Sequence, residues 1–525
     1  MLIQFSIACL CHQTVLGEIF SSLAHMERLL NSENSIYQLV DDYVSAEQRR
    51  LQQLQDIASM HKDMYKSIHN SSARAYLSNP INIFKLIQRL RSTEAAITKN
   101  HGTAEESLKF MKSKRKTSLP SKADLDGSAV AIFRLQDTYN LDAGKMADGK
   151  LKKGVKKAET LNAADCLRLA KVATDVDDYY HALMWSKEAY YRVSDENPPT
   201  ADETDILDYY GYALFKKGNY ERALFIYQKL VSLDPTNSRA VESVDYFKNY
   251  LEENGMRPSP LPKIVNKRVA EPFADLDRSH YESLCRGEYQ MSPAKESKLR
   301  CYNKADRPFL RLAPIKYEVL NYRPKVVLFH GIVSDDEIAE IKHFAIPKLD
   351  RATVYNAATS SFTPADYRVS KSAWFGDEVD ELFARISRRL EDATELTMKY
   401  AEQLQIANYG IGGHYDPHFD MSTEQDDDAF LTDGWGNRIA TALFYLSQPE
   451  AGGATVFTSL NLTLFPSKND AVFWYNLKRD GSPDLSTRHA ACPVLAGIKW
   501  VANKWIHEKN QHIGRPCALS RFEYE

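Results

Sequence analysis

A chain of 525 residues is too long for one hydrophobic core, and its 43% hydrophobic and 26% charged residues fit an ordinary folded protein rather than a disordered or fibrous one. A net charge of −3, with lysine and arginine spread along the chain, argues against a nucleic-acid-binding surface. Beyond the N-terminus no run is long and apolar enough for a transmembrane helix.

Met1 to Leu10 is apolar and free of acids, and small residues near Gly17 suit cleavage, so residues 1–17 are expected to be a signal peptide. From 18 to about 115 apolar residues such as Leu51, Leu54, Ile57 and Met64 recur at helical spacing. The stripe fits an amphipathic bundle or, because one this long needs a partner surface, a coiled coil formed by self-association. Asn79-Pro80 interrupts the run, Ile83–Leu90 starts another helix, and Ala129–Leu141 returns to the bundle, giving a helical domain over 18–141. Residues 142–160 read as a mobile linker.

Over 161–255, Gly211, Tyr220, Ala223, Tyr227 and Pro235 fall on tetratricopeptide spacing, echoed upstream by Ala170, Tyr179, Ala182 and Ala189. Stacked helix pairs of this kind form a concave groove. Tyr209 and Tyr212 lie three apart on one predicted helix and Tyr246 lies on a later one, an aromatic lining suited to a polyproline II peptide. Residues 256–310, with Pro258, Pro260 and Pro262, read as a linker carrying a disulfide loop. Short strands then predominate, among them Thr441–Leu446, Ala454–Phe457 and Ala471–Tyr475, with helices near Asp335–Phe344 and Glu378–Glu395. The expected fold of 311–517 is an antiparallel double-stranded β-helix, or jelly roll.

Gln405 to Asp420 alternates and reads as one strand, which puts His418 and Asp420 on one face. With His489, two imidazoles and a carboxylate bind one face of a ferrous ion and leave three positions for a bidentate 2-oxo acid and dioxygen. Lys499, ten residues later on the next predicted strand, suits the far carboxylate of that acid. His414-x-Asp416 matches the same pattern, and spacing alone does not choose between the two pairs.

From about 310 to 517 the chain resembles the catalytic domain of the collagen-type prolyl 4-hydroxylase alpha-subunit family. The matching stretches include Tyr367-Arg-Val-Ser-Lys-Ser-Ala-Trp374, Gly436-Asn-Arg-Ile-Ala-Thr441, Ala451-Gly-Gly-Ala-Thr-Val-Phe457, Ala471-Val-Phe-Trp-Tyr-Asn-Leu477 and Ser486-Thr-Arg-His-Ala-Ala-Cys-Pro-Val-Leu495. The family's metal motif follows Tyr-x-Pro, here Tyr415-Asp-Pro417, so the resemblance makes His418, Asp420 and His489 the iron ligands and leaves His414 and Asp416 as cavity-rim residues.

The resemblance further implies that Lys499, Tyr409 and Thr441 hold 2-oxoglutarate, that His507 assists its binding and decarboxylation, and that Trp505 walls the pocket. It implies hydroxylation at C4 of peptidyl proline with conversion of 2-oxoglutarate and O2 to succinate and carbon dioxide, with L-ascorbate as iron reductant. Tyr209, Tyr212, Arg239 and Tyr246 occupy the family's peptide-groove positions, but Ser243 replaces its peptide-contacting Asn. A protein disulfide isomerase beta subunit in an alpha2-beta2 tetramer is implied as partner. Short loops and the family together favour disulfides Cys285–Cys301 and Cys492–Cys517, with Cys166 a buried free thiol. Sequons at Asn70 and Asn461, with the signal and the bridges, point to the endoplasmic reticulum lumen. The chain lacks a Lys-Asp-Glu-Leu-type ending, so the partner is expected to retain it there. Two alternatives stand: a hydroxylase of a non-collagen secreted substrate, and a catalytically silent subunit that binds proline-rich chains.

Overall fold

The computed structural model describes residues 51–66, 73–99, 122–256, 260–269, 272–273, 276–356, 361–364, 367–410, 412–423 and 434–520, with scattered positions between 41 and 49. The expected signal peptide, the start of the helical stretch and Asn70 lie outside the described residues. The chain divides into two compact units, residues 1–72 with 89–119, and residues 73–88 with 120–525. In the first, Leu54, Ile57, His61 and Met64 are half-buried while their helical neighbours are exposed. That is the single-face spacing the apolar stripe predicts, and His61 Nε2 meets Thr93 Oγ1 at 2.6 Å.

The second unit starts with a short helix at Ala73–Leu77 and enters the first half of helix α1 (Pro80–Lys99), whose Pro occupies the first helical position. It continues through α2 (Lys122–Tyr139) and α3 (Ala143–Ala147). The segment expected as a mobile linker is part of the core instead. Asp142 caps α3, and Met146, Ala147 and Leu151 are buried beside Ile132 and Trp185. Its lysines and glycines hide these apolar residues, with Ala143 a fourth. Helices α4 (Ala163–Asp175), α5 (Tyr179–Val193), α6 (Glu203–Lys216), α7 (Tyr220–Leu233) and α8 (Ser238–Glu253) follow, each packed on the next. Asn162 and Asp165 form a reciprocal capping box at the start of α4. Gly211 lets α6 approach α7 closely, since a Cβ there would lie 2.7 Å from the Tyr227 ring.

Helix α9 (Arg278–Cys285) precedes the two main sheets, whose thirteen strands are β1 (Cys301–Lys304), β2 (Ile315–Tyr322), β3 (Lys325–His330), β4 (Asp350–Arg351), β5 (Lys371–Phe375), β6 (Leu404–Tyr409), β7 (Tyr415–His418), β8 (Arg438–Tyr445), β9 (Thr455–Phe457), β10 (Leu462–Leu464), β11 (Ala471–Tyr475), β12 (His489–Ala491) and β13 (Lys499–His507). They form a nine-stranded sheet, β1-β2-β3-β11-β8-β13-β6-β5-β4, and a four-stranded sheet, β10-β9-β12-β7, both antiparallel throughout. This is the jelly roll expected from the strand pattern. Its large sheet already starts at Cys301, inside the stretch read as a linker.

Alternation sorts the side chains. Ala440, Ala442 and Phe444 face outward, against α10 (Asp335–Ala345) and α11 (Glu381–Thr394). Tyr409, Tyr445, Val472, Trp474 and Val501 meet Phe457 in the layer between the sheets. Helix α9 covers the outer face of the small sheet through Tyr281, Leu284 and Cys285 against Val456, Ala490 and Cys492.

That packing corrects the expected disulfides. Cys285 is bonded to Cys492, 207 residues away, whereas Cys301 and Cys517 are exposed free thiols. Cys301 is carried off on edge strand β1, while the end of α9 delivers Cys285 onto the buried Cys492 after β12. Proximity in sequence is a poor guide when a helix crosses a sheet. Cys166 is buried and free, as read. Among the described residues no helix is long and apolar enough to cross a membrane.

Candidate functional site

The strand expected over 405–420 is broken. It stops at Tyr409, turns through Gly410 to Gly413, and resumes as β7. Gly412 has φ +55°, and a Cβ on Gly413 would lie 2.8 Å from the Val369 carbonyl. The turn lets β7 join the small sheet, where His418 pairs directly with His489. Their ring centroids are 4.4 Å apart. Asp420, just past the strand, sets Oδ1 3.6 Å from His418 Nε2 and Oδ2 3.5 Å from His489 Nε2. The three ligand atoms all lie within 4.8 Å of one another.

Each imidazole is oriented through its other nitrogen. His418 Nδ1 lies 2.7 Å from the Asp416 carbonyl, and His489 Nδ1 lies 3.0 Å from the Thr487 carbonyl. With both Nδ1 atoms donating, both Nε2 lone pairs face Asp420. Tyr415 stacks on His418 at 3.6 Å. Thr441 Oγ1 donates to Asp420 Oδ2 at 2.8 Å and accepts from Asn476 Nδ2 at 2.9 Å. Burial alone would raise the Asp420 pKa, but His489, His418 and Arg438 outweigh it and hold the carboxyl well below its usual range. Burial brings His489 down to about 4. At neutral pH the trio is therefore a carboxylate and at least one neutral imidazole, a donor set that fits a ferrous ion.

Behind this trio, Lys499 pairs in register with Tyr409, and its Nζ sits 5.1 Å from the centre of that ring. Lys499 is 1% exposed, and its Nζ has no hydrogen-bond partner among the described residues. Burial pulls its pKa down to about 7. An ammonium held in this way costs several kcal/mol unless an anion joins it. An incoming carboxylate meets that need, so the residues fit a 2-oxo acid as they fit the metal. The short strand Val494–Ala496 intervenes between β12 and β13, so β13 is not the next strand after His489.

His507 lies at the other end of β13. Its Nδ1 is 2.7 Å from the Gly436 carbonyl and its Nε2 is 3.1 Å from Glu402. Arg438 grips Glu402 with two nitrogens and reaches the Asp420 carbonyl with a third, at 3.3 Å. His507 thus connects to the triad through Glu402 and Arg438. The Arg438 guanidinium lies 4.2 Å above Trp505, whose ring is 5.7 Å from Trp374. Arg438, Glu402 and Asn476 carry no individual motif in the sequence, and Tyr415 marks the metal motif there without revealing its stack on His418. A register shift between Arg438 and Ala440 re-aims Arg438, which alternation does not reveal. Asn476, fully buried just after an all-apolar strand, was the available signal.

His414 and Asp416 are kept out of the triad by the glycine turn. They line a separate cavity with Arg134, Arg278 and Tyr281. In the helical layer, Tyr209 lies beneath Lys171, and Tyr212 packs edge-on to Tyr179 at 5.9 Å. Tyr246 contacts Phe215 at 6.0 Å and Tyr250 at 6.2 Å. Arg239 pairs with Asp208. The Ser243 hydroxyl donates to the Arg239 carbonyl of its own helix at 2.8 Å. Asn461 is exposed in a turn after β9.

Residues 22–153 match the family described as prolyl 4-hydroxylase alpha-subunit, N-terminal region, and residues 163–253 match the prolyl 4-hydroxylase peptide-substrate-binding domain. Residues 404–507 match the 2OG-Fe(II) oxygenase superfamily. Prolyl 4-hydroxylase subunit alpha-2 of Caenorhabditis elegans is 44% identical over 98% of this chain and 96% of its own. Subunit alpha-1 of Rattus norvegicus is 40% identical, with 96% of each covered. A solved viral collagen prolyl hydroxylase from Paramecium Bursaria Chlorella virus-1 overlays 35% of this chain and 94% of its own at 25% identity and a TM-score of 0.28, a likeness too low to weigh.

Proposed function

Since the chain belongs to the prolyl 4-hydroxylase alpha-subunit family, we propose that this 2-oxoglutarate- and Fe(II)-dependent prolyl hydroxylase acts at C4 of prolines in collagen-like chains, with His418, Asp420 and His489 as its iron ligands. The observation that carries the site assignment is the triad itself, with the ammonium of Lys499, which has no hydrogen-bond partner among the described residues, buried behind it.

Bound iron supplies activation of dioxygen and of the 2-oxo acid. The chain's own residues do the rest. Lys499 neutralises the far carboxylate of 2-oxoglutarate, with Tyr409 beside it, and Asn476 and Thr441 fix the plane of Asp420. The Glu402–Arg438 pair holds His507 in one orientation and braces the Asp420 backbone. Trp505 and Trp374 offer an apolar wall to the target ring. The aromatic groove of the helical layer holds flanking prolines, so a long substrate stays bound while successive residues reach the metal. Positioning of this kind accounts for much of the protein's share of the rate.

The Cys285–Cys492 bridge and the exposed Asn461 sequon support a location in the endoplasmic reticulum lumen. Protein disulfide isomerase as beta subunit, pairing through the N-terminal helices, and ascorbate as reductant are parts of the same reading. A non-collagen proline-rich substrate is kept open by Ser243, whose single hydroxyl is engaged with its own helix. The test is iron-dependent succinate release with (Pro-Pro-Gly) repeats, followed by mass spectrometry of the product. Hydroxyproline in step with succinate supports the reading. Succinate without peptide dependence, or no turnover with any proline-rich peptide, sinks it.

A further inference from the structure

Where the helical layer meets the sandwich, one buried histidine lies between two carboxylates. Asp178 caps α5 and accepts from the His181 backbone N–H at 3.1 Å, so its other oxygen reaches His181 Nδ1 at 2.6 Å. Across the ring, His181 Nε2 faces Asp137 Oδ1 of α2 at 3.3 Å, an ion-pair contact rather than an aligned hydrogen bond. Phe133 stacks on the ring at 4.8 Å, and His181 is 1% exposed. A neutral imidazole has one N–H. Either neutral tautomer would turn a lone pair on one of the two carboxylates, so the site suits the imidazolium. The helix dipole opposes a cation at the start of α5, and the two carboxylates compensate for it.

The contact continues into the catalytic layer. The other Asp137 oxygen lies 2.9 Å from Arg268 Nε. Arg268 donates through both terminal nitrogens to Glu282 of α9, at 2.9 and 2.8 Å. Glu282 is buried, and α9 is bonded to the small sheet through Cys285 and Cys492, just past His489. On the other side, Tyr179 opens the same helical turn as His181 and packs on Tyr212 of the aromatic groove. The charged and titratable groups around the ring are Asp178 and Tyr180 of α5, Asp137 of α2, Arg268, and Glu282 of α9. Burial lowers the His181 pKa, but Asp137 and Asp178 outweigh it and hold it above its usual value.

We propose that His181, as an imidazolium, is a positioning residue: it fastens the helices of the peptide groove to α2 and, through Asp137, Arg268 and Glu282, to the sandwich, so that a bound proline-rich chain meets the metal site in one register. The proposal rests on the hydroxylase reading for its substrate. Its charge is what fastens, because without the proton Asp137 and Asp178 face each other across a neutral ring. A group whose pKa is raised on folding contributes fully below its usual value, here 6.5, and the contribution is lost as pH rises through the folded value. The grip is therefore tightest at mildly acidic pH and loosens as pH rises.

The test compares the native protein, His181→Gln and Arg268→Gln on a long (Pro-Pro-Gly) repeat that spans groove and metal site and on a short one that reaches the metal site alone. Both variants should raise the KM for the long repeat severalfold and keep its kcat, with the short repeat unchanged, since only a chain held at two points depends on their spacing. In the native protein the preference for the long repeat should decline from about pH 6 to about pH 8, and in His181→Gln it should be flat. Retention of the native preference by either variant overturns the proposal, as does equal loss on both lengths, or a pH profile that His181→Gln leaves unchanged. Hydrogen exchange across Tyr179–Trp185, corrected for intrinsic rate, separates the proposal from the reading it rests on. Exchange should quicken over the same pH range in the native protein and be insensitive to pH in His181→Gln. No turnover of either repeat, with that pH step present, sinks the hydroxylase reading and keeps the fastening. Turnover without the step sinks the fastening alone.

Discussion

In the sandwich the groups that matter are buried and aimed at one another, with Asp420, His489 and Lys499 between 1% and 5% exposed. In the helical layer Tyr246 is 50% exposed, and the Arg239 side chain is 69% exposed. Burial removes competing water and strengthens every electrostatic contact, so each member of the sandwich site is close to indispensable. An exposed aromatic contributes one increment of contact to a long peptide, and its loss is graded.

The sharpest way to break this contrast is His489→Ala. Turnover should fall at least about a thousandfold, the several kcal/mol a bound metal supplies, while the circular dichroism spectrum is kept. Near-native turnover would show that the buried trio is not the centre. Lys499→Ala should raise the 2-oxoglutarate KM about a hundredfold, as removal of one partner of a buried charge pair does, with a smaller change in kcat.

The same lysine predicts a pH effect. Its folded pKa of about 7 lies below the usual lysine value, so the unfolded chain binds more protons from about pH 7 up to about 10. Stability of the unliganded chain should therefore gain a rising contribution across that window, and Lys499→Met should abolish it in denaturant titrations at matched pH. A pH profile unchanged by Lys499→Met would contradict the burial argument.

Smaller effects sharpen the comparison. Cys285→Ser should cost about 2–5 kcal/mol of stability, read as a lowered Tm, because the bridge closes a very long loop. Its metal affinity should survive. Thr441→Val, which removes only the hydroxyl on Asp420, should weaken metal binding about tenfold. Tyr246→Ala should raise the KM for a long proline-rich peptide severalfold and leave a short peptide unaffected. An equal effect on both lengths would place Tyr246 outside the groove.

The periodicities of the chain read the architecture well where local pattern decides it. Ala471–Tyr475 is a strand as expected, and the helices near Asp335 and Glu381 fall close to their predicted places. Two of the readings that failed did so because a tertiary constraint overrode local composition. The glycines between Tyr409 and His414 break a strand that alternation would continue, and Cys285 finds a partner 207 residues away rather than the nearby Cys301. Within the site, ligand types and spacing were visible, and the resemblance chose between two His-x-Asp pairs. Invisible were the groups that hold the ligands, since Asn476, Arg438 and Glu402 act through register and a bulge that no single stretch encodes.

The most direct test of the account is anaerobic titration of the full chain with Fe(II), comparing the native protein with His489→Ala and His414→Ala. One ion per chain should bind to the native protein and to His414→Ala, and none to His489→Ala. Retention of the ion by His489→Ala, or its loss from His414→Ala, would contradict the assignment of His418, Asp420 and His489 as the metal-binding trio.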